Sequence, residues 1–159
     1  MPGRGPHDGI DAQAGSGRKA LPALRLGLEG GEVSGAWIET FTGRKFPLLD
    51  PRPEDICIED IAHSLSLLCR FTGHVREFYG VAQHSILVSY LCDSGDARGG
   101  LMHDASEAYI SDLSRPLKHC TEIGKHYQRI ERRITVAVCQ RFGLPPEEPE
   151  SVRRADIAM

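Results

Sequence analysis

The sequence lacks long apolar runs and a strong excess of charge of either sign. Its 159 residues carry 19 lysines and arginines against 22 aspartates and glutamates, a net charge near −3. Charge alone therefore indicates neither nucleic acid nor an acidic membrane as a partner. No apolar segment has the length of a membrane-spanning helix, and the N-terminal residues lack the apolar core of a secretory signal. We expect a cytoplasmic protein with no membrane contact.

Paired cysteines and a glycine-rich phosphate loop are also missing. The cysteines are odd in number and have no zinc-knuckle spacing: Cys57, Cys69, Cys92, Cys120 and Cys139. Three of them (Cys69, Cys92 and Cys139) fall in apolar helical patterns, where a thiol behaves as a small buried hydrophobe. The pattern is typical of a reduced, intracellular protein. Without a phosphate loop, kinase-like transfer is not expected.

Glycine is unevenly distributed along the chain. Nine of the 17 glycines lie in residues 1–35, together with three prolines. Such a segment buries too little apolar surface to offset the entropy lost on ordering. We predict a flexible tail over 1–35 and a single domain over 36–159.

From residue 36 onward, the hydrophobic patterns predict an all-α fold with a short β-hairpin in front of it. β-Formers around Gly43 indicate the hairpin at 37–46. Apolar residues at helical spacing predict about five helices: 59–70, 81–92, 101–110, 121–142 and a last one that starts near Glu147 or Ser151. We expect a glycine-rich loop at 94–100 and a turn at 114–118. The core stripe of the long helix is predicted at Ile123, Tyr127, Ile130, Ile134, Val138 and Phe142.

The segment from Met102 to Asp112 contains a concentration of ionisable side chains. His103 and Asp104 are adjacent, and on a helix Glu107 lies one turn from His103 on the same face. An imidazole and a carboxylate that point into one pocket form half of a divalent-metal site. A free carboxylate nearby could orient a water molecule there. The alternative is a solvated helix face that happens to carry these residues.

Two further groups could complete such a site. His84 lies on the inward stripe of its helix, where a histidine is more often a core residue satisfied by a hydrogen bond. The short loop at 94–100 could bring it beside His103, and Asp156 lies on the last helix. Two imidazoles and two carboxylates suit Mn²⁺, Co²⁺, Fe²⁺, Mg²⁺ or Zn²⁺. His63 lies off the core stripe, and we favour a structural role for it.

With these residues in place, the sequence resembles the HD-domain phosphohydrolases, which are defined by metal ligands in the order H…HD…D. The resemblance covers about 36–159. Residues 81–85 resemble the helix of the first ligand, and 154–156 resemble the segment of the last. Residues 103–107, followed by Asp112, Pro116 and Lys118, are similar to the bacterial 5′-deoxynucleotidase branch. Residues 37–76 resemble phage and prophage hydrolases of the HD family. The resemblance implies an HD-domain helical bundle.

The resemblance also implies a role for each matching residue. One divalent metal would be held by His84, His103, Asp104 and Asp156. Glu107 would position or deprotonate the attacking water, and Asp112 would bind the sugar hydroxyl. Arg70 would grip phosphate while Phe71, in place of the family's tryptophan, packs against the sugar. Lys118, with Arg115, would add positive charge. The alternatives are a helix or turn cap for Asp112 and plain surface charge for Arg115 and Lys118.

The function implied is a metal-dependent 5′-nucleotidase that releases phosphate from (deoxy)nucleoside monophosphates, with a homodimer expected by resemblance alone. Within the same fold the substrate could be another phosphorylated nucleotide or small phosphate monoester. A rival from another class is a non-catalytic or degenerate HD module that binds metal or a partner. The chain ends three residues after Asp156, earlier than is usual in the family. Chain ends fray unless they are packed down, so Asp156 is the ligand expected to be held most weakly.

Overall fold

The structure is a computed structural model that describes residues 35–159. This part of the chain is mostly helical, with one short two-stranded antiparallel sheet near its start. The prediction of an all-α fold with a small β segment is confirmed at that level. The predicted tail, apart from Gly35, lies outside the described residues. Among these residues, no helix combines the length and apolar character needed to cross a membrane.

The predicted hairpin is present and is fastened to the first helix. Strands β1 (Trp37–Glu39) and β2 (Lys45–Pro47) pair with Ile38 opposite Phe46. Gly43 adopts φ +79° in the turn, a conformation that glycine reaches without steric cost. The buried carboxylate of Asp60 accepts hydrogen bonds from the Thr42 backbone N–H at 2.7 Å and the Thr42 hydroxyl at 3.1 Å. These bonds fix the hairpin against the helical part of the chain.

Seven α-helices follow in the described residues, joined by short turns and 3-10 segments. They are α1 (Ile58–Leu67), α2 (Val81–Leu91), α3 (Ala97–Met102), α4 (Glu107–Ile110), α5 (Arg115–Cys120), α6 (Glu122–Phe142) and α7 (Glu150–Ala158). Helix α2 packs against α1, α3 and α7, while α5 packs on α6. The main core gathers around Phe46, Ile56 and Ile134, none of which is exposed to solvent.

The first predicted helix ends earlier than expected. Helix α1 stops at Leu67, and Arg70–Gly73 forms a 3-10 turn in which Phe71 and Thr72 have φ +54° and +56°. Left-handed backbone in two consecutive residues with side chains cannot continue an α-helix. Gly73 at φ +81° completes the turn.

The helix predicted over 101–110 is wrong in its continuity. Helix α3 already begins at Ala97, inside the predicted loop, and a turn at 103–106 separates it from α4. In that turn, backbone N–H groups bond to carbonyls three residues back, as from Glu107 to Asp104 at 3.0 Å. Since side chains three apart eclipse in such winding, Asp104 and Glu107 share a side instead of His103 and Glu107.

Two further expectations need correction. The predicted turn at 114–118 is helix α5, which starts at Arg115 and carries Pro116 in its first turn, where proline is tolerated. Helix α6 is capped by Thr121 and ended by Gly143, which has a left-handed conformation. Of its predicted core stripe, Ile134 and Val138 are buried. Ile123 is instead 67% exposed, because α5 covers this end of α6 on its other side, beside the buried Gly124.

Candidate metal centre

The two inward histidines meet at the contact between α2 and α3. His84 is fully buried on α2, and its Nε2 lies 3.2 Å from Nε2 of His103, which follows α3. The helices approach closely because Gly100 has no side chain. A Cβ there would stand 2.9 Å from Sγ of Cys92 and 3.0 Å from Cα of Ser89. The glycine in the link between the two histidines thus permits their contact.

Two carboxylates complete the cluster. Oδ2 of Asp104 lies 3.1 Å from Nε2 of His103, and Oδ1 of Asp156 lies 2.9 Å from Nε2 of His84. Asp156 comes from α7, which packs on α2 through a small buried cluster of Val88, Val152 and Ala155. All four predicted metal ligands are therefore brought together.

Three contacts of the cluster, at 2.9, 3.1 and 3.2 Å, are close to the spacing of donors around a first-row divalent ion, and two others are longer. Donors bound at about 2.1 Å stand about 3.0 to 3.4 Å apart in octahedral or tetrahedral geometry. The cross distances here are 3.6 Å from His84 to Asp104 and 3.8 Å from His103 to Asp156. His84, His103 and Asp104 satisfy the geometric requirement for a possible three-ligand site, and Asp156 lies outside that group.

The second nitrogen of His103 fixes the direction of its ring. Nδ1 lies 2.8 Å from the carbonyl oxygen of Gly100, which accepts its proton. That contact leaves Nε2 directed at the cluster, as metal-binding histidines are usually held. Nδ1 of His84 is buried and has no hydrogen-bond partner among the described residues, so the polar contacts of His84 lie on its Nε2 side.

The electrostatics of the cluster favour positive charge. Burial alone lowers the pKa of His103, but the nearby carboxylates of Asp104 and Asp156 outweigh it and raise that pKa to about 10. The imidazoles of His103 and His84 lower the pKa of Asp156. Two carboxylates thus stabilise a proton on His103. A divalent cation would satisfy the same groups with more charge, and its binding would release that proton.

Arg70 spans the two carboxylates. Its Nη1 lies 3.4 Å from Oδ2 of Asp104, and its Nη2 lies 3.9 Å from Oδ1 of Asp156. The neighbouring Phe71 is 55% exposed, and its ring lies 5.3 Å from the guanidinium carbon of Arg70. The left-handed backbone at Phe71 turns the ring outward while Arg70 stays at the cluster.

A cavity of about 620 Å³ opens beside the cluster. Its size lies within the range of small-ligand sites, about 300 to 1,000 Å³. The wall includes Arg70, Phe71, Asp104, Glu107, Asp112, Arg115, Lys118 and Asp156. Every predicted substrate-binding residue, the predicted catalytic Glu107 and two of the metal ligands therefore face one space.

Glu107 is a carboxyl in that wall whose pKa is strongly raised. It is 7% exposed, and its Oε2 has no hydrogen-bond partner among the described residues. Burial, and then the negative charges of Asp104 and Asp112, raise the pKa of Glu107 to about 9. Without a metal ion beside it, the Glu107 side chain holds its proton at neutral pH, whereas a metal ion at Asp104 would favour the carboxylate.

The sequence did not show which side chains interact with Lys118. Its Nζ lies 2.7 Å from Oε1 of Glu131 and 5.6 Å from the ring centre of Tyr127. Both partners come from α6, where Tyr127 was expected in the core. Tyr127 and Glu131 lie four residues apart on α6, and only the packing of α5 on α6 brings Lys118 to them.

The structure also bears on the alternative roles considered for His63, Asp112 and Arg115. The ring of His63 stacks on Phe41 with centroids 3.7 Å apart, away from the four ligands. Asp112 caps neither neighbouring helix, since α4 ends at Ile110 and Ser114 is the N-cap residue of α5. Arg115 is exposed at the cavity rim.

Comparison with known proteins places the chain in a family. It is 43% identical over 124 residues to the uncharacterized protein YfdR of Escherichia coli (strain K12), a match that covers 78% of this chain and 68% of that protein. It is 41% identical over 129 residues to the uncharacterized protein RCAP_rcc00048 of Rhodobacter capsulatus, covering 76% of this chain and 65% of the relative. No model of a known protein family matches the chain. The chain belongs to the family of YfdR, and neither relative's name states an activity.

Proposed function

We propose that the protein is an HD-domain, metal-dependent phosphohydrolase, a 5′-nucleotidase that releases phosphate from (deoxy)nucleoside monophosphates. The observation that carries the proposal is the convergence of His84, His103, Asp104 and Asp156 in one cluster, of which Asp104 and Asp156 line the cavity. The ion would be Mn²⁺, Co²⁺, Fe²⁺, Mg²⁺ or Zn²⁺. When bound, it would polarise a phosphoryl oxygen and acidify water in the site.

The residues of the chain supply the rest of the chemistry. Arg70 lies close enough to both carboxylates to reach a phosphate held beside them, and its charge would stabilise the transition state. Glu107, ionised once a cation sits at Asp104, would take a proton from the attacking water. The new bond would form between that water oxygen and phosphorus while the bond from phosphorus to the 5′ oxygen breaks, and the proton taken by Glu107 would pass to that oxygen. Asp112 would accept a hydrogen bond from the sugar, and Phe71 would pack against it.

The proposal is tested by removing and restoring the ion. Protein treated with a chelator should release no phosphate from deoxynucleoside monophosphates and should regain turnover when Co²⁺ or Mn²⁺ is added. His103→Ala should lose at least about 100-fold in kcat/KM, because one ligand and its fixed ring are gone. His126→Ala, an exposed histidine on α6, is the matched control and should behave as wild type. Equal phosphate release by His103→Ala and wild type would refute the assignment.

A second candidate function, a non-catalytic HD module that binds metal or a partner, is favoured by the position of Arg70. Its guanidinium pairs with both Asp104 and Asp156 and so neutralises carboxylates that a metal would otherwise use. This candidate predicts metal binding, or a stable metal-free cluster, without turnover. A panel of phosphorylated substrates with each metal separates the two, since only the phosphohydrolase releases phosphate.

A further inference from the structure

Ser111 adopts a backbone conformation that a residue with a side chain rarely holds. Its φ of +66° and ψ of +163° lie in a region occupied almost only by glycine. The residue ends α4 and immediately precedes Asp112, which lines the cavity. The strain therefore lies at the point where the chain turns from the Glu107 helix toward the proposed sugar contact.

Both backbone polar groups of Ser111 are held. Its N–H donates to the carbonyl oxygen of Glu107 at 2.8 Å. Its own carbonyl accepts the hydroxyl proton of Tyr127 at 2.5 Å. Burial, and then the charges of Glu131 and Glu107, raise the pKa of Tyr127, so the hydroxyl stays a donor. Of these two hydrogen bonds, the one from Tyr127 comes from a different element, α6.

Helix α6 also fixes the far end of the same segment. The amide of Gln128 donates to the carbonyl oxygen of Lys118 at 2.5 Å, and Glu131 pairs with the Lys118 ammonium. Gly124 allows this approach, since a Cβ there would stand 2.1 Å from the Lys118 carbonyl oxygen. Residues 111–118, which contribute Asp112 and Lys118 to the cavity, are thus held at both ends by one helix.

We infer that Tyr127 is a positioning residue, which sets the place of Asp112 in the cavity by holding Ser111 in its left-handed conformation. The consequence for substrate binding rests on the proposed function, whereas the positioning is a property of the chain itself. Removal of the hydroxyl would let Ser111 relax to an ordinary φ and carry Asp112 away. A glycine at 111 would keep the native backbone without the hydroxyl, because glycine has no steric cost there.

Kinetics of four proteins test the inference: wild type, Tyr127→Phe, Tyr127→Phe with Ser111→Gly, and the control Tyr90→Phe. Tyr90 is 80% exposed and offers the same chemical change. For a deoxynucleoside monophosphate we expect Tyr127→Phe to raise KM about 10-fold with kcat within about 2-fold. A 10-fold rise is the size expected when the hydrogen bond from the sugar to the Asp112 carboxylate is lost. With p-nitrophenyl phosphate, which has no sugar, KM should not change.

The double variant distinguishes positioning from general damage. Adding Ser111→Gly should bring KM for the nucleotide back to within about 3-fold of wild type. A purely structural role for Tyr127 predicts no such return, since the glycine restores no contact. Unchanged KM in Tyr127→Phe, or no return in the double variant, would overturn the inference.

Nuclear magnetic resonance tests the positioning of Asp112 independently of the proposed nucleotidase activity. The Ser111 Cα shift should move toward ordinary values in Tyr127→Phe, and the Asp112 amide resonance should return to its wild-type position in the double variant. Failure of wild type to release phosphate from any nucleotide would refute the nucleotidase and leave these shifts to decide the positioning. An unmoved Ser111 Cα shift in Tyr127→Phe would refute the positioning in an active or an inactive protein.

Discussion

At the scale of single residues, the charge of Arg70 affects both proposed roles of the cluster, metal binding and phosphate binding. Its guanidinium lies against two carboxylates that would also bind a divalent ion. A cation so close stabilises the carboxylates in the metal-free protein and opposes the entry of a second cation. The same charge would attract a phosphate. One side chain therefore influences metal affinity and substrate affinity in opposite directions.

Replacement of Arg70 should separate these two effects. We expect Arg70→Ala to bind Co²⁺ several-fold more tightly, because the opposing charge is gone, and to show a KM for the phosphate substrate raised at least about 10-fold. Calorimetric titration with the metal gives the first quantity and steady-state kinetics the second. Arg76→Ala, at an exposed position, is the control. Weaker Co²⁺ binding by Arg70→Ala would show that the guanidinium holds the carboxylates in place more than it repels the ion.

At the scale of elements, the site depends on how closely α2 and α3 approach. Gly100 and Gly99 are neighbours on α3, yet their surroundings differ. A Cβ on Gly100 would stand 2.9 Å from Sγ of Cys92, whereas a Cβ on Gly99 would meet nothing nearer than 3.7 Å. The first is a forbidden contact and the second an ordinary one.

This difference provides a matched pair of variants. Gly100→Ala should push α3 from α2, lower the free energy of unfolding by about 1–3 kcal/mol and weaken metal binding, because His84 and His103 separate. Gly99→Ala should be neutral or stabilising by up to about 1 kcal/mol, since alanine favours helix. Urea denaturation and metal titration measure both quantities. Equal metal affinity in the two variants would contradict the dependence on this helix contact.

At the scale of the whole molecule, the cluster joins parts of the chain that are distant in sequence. His84 comes from α2, His103 and Asp104 from the turn between α3 and α4, and Asp156 from α7. The buried contact of α7 with α2 is small, consisting of Val88, Val152 and Ala155 with Cys92 beside them. A bound ion would therefore contribute a large share of what holds α7 in place.

Metal binding should accordingly protect α7 more than the rest of the described chain. Ligand at about 100 times its Kd stabilises the state that binds it by about 2.7 kcal/mol. We expect hydrogen exchange in 150–158 to slow by about 10-fold or more on addition of Co²⁺, with little change in the middle of α6. Asp156→Asn should remove most of that protection. Equal exchange of α7 with and without metal would mean that Asp156 does not bind the ion.

Several features of this protein followed from local sequence alone. Helix α6 was predicted over 121–142 and spans Glu122–Phe142, because the cap Thr121 and the left-handed Gly143 act on the adjacent backbone. The hairpin around Gly43 followed from the same kind of signal, as did helix α2 with His84 on its inward side. The residues that gather at the candidate metal centre were found by their chemistry, and His84 also by the inward side of its helix.

Tertiary structure decided what depends on neighbours distant in sequence. The break at 103–106 and helix α5 were not visible in the sequence, since helix propensity sums over adjacent residues and takes no account of packing. The same holds for the pairing of Lys118 with Glu131, for Arg70 between two carboxylates, and for Tyr127 on the Ser111 carbonyl. Each joins side chains or backbone groups that only the packed helices bring within hydrogen-bond distance or reach of a charge, and the energy of such contacts falls steeply with separation.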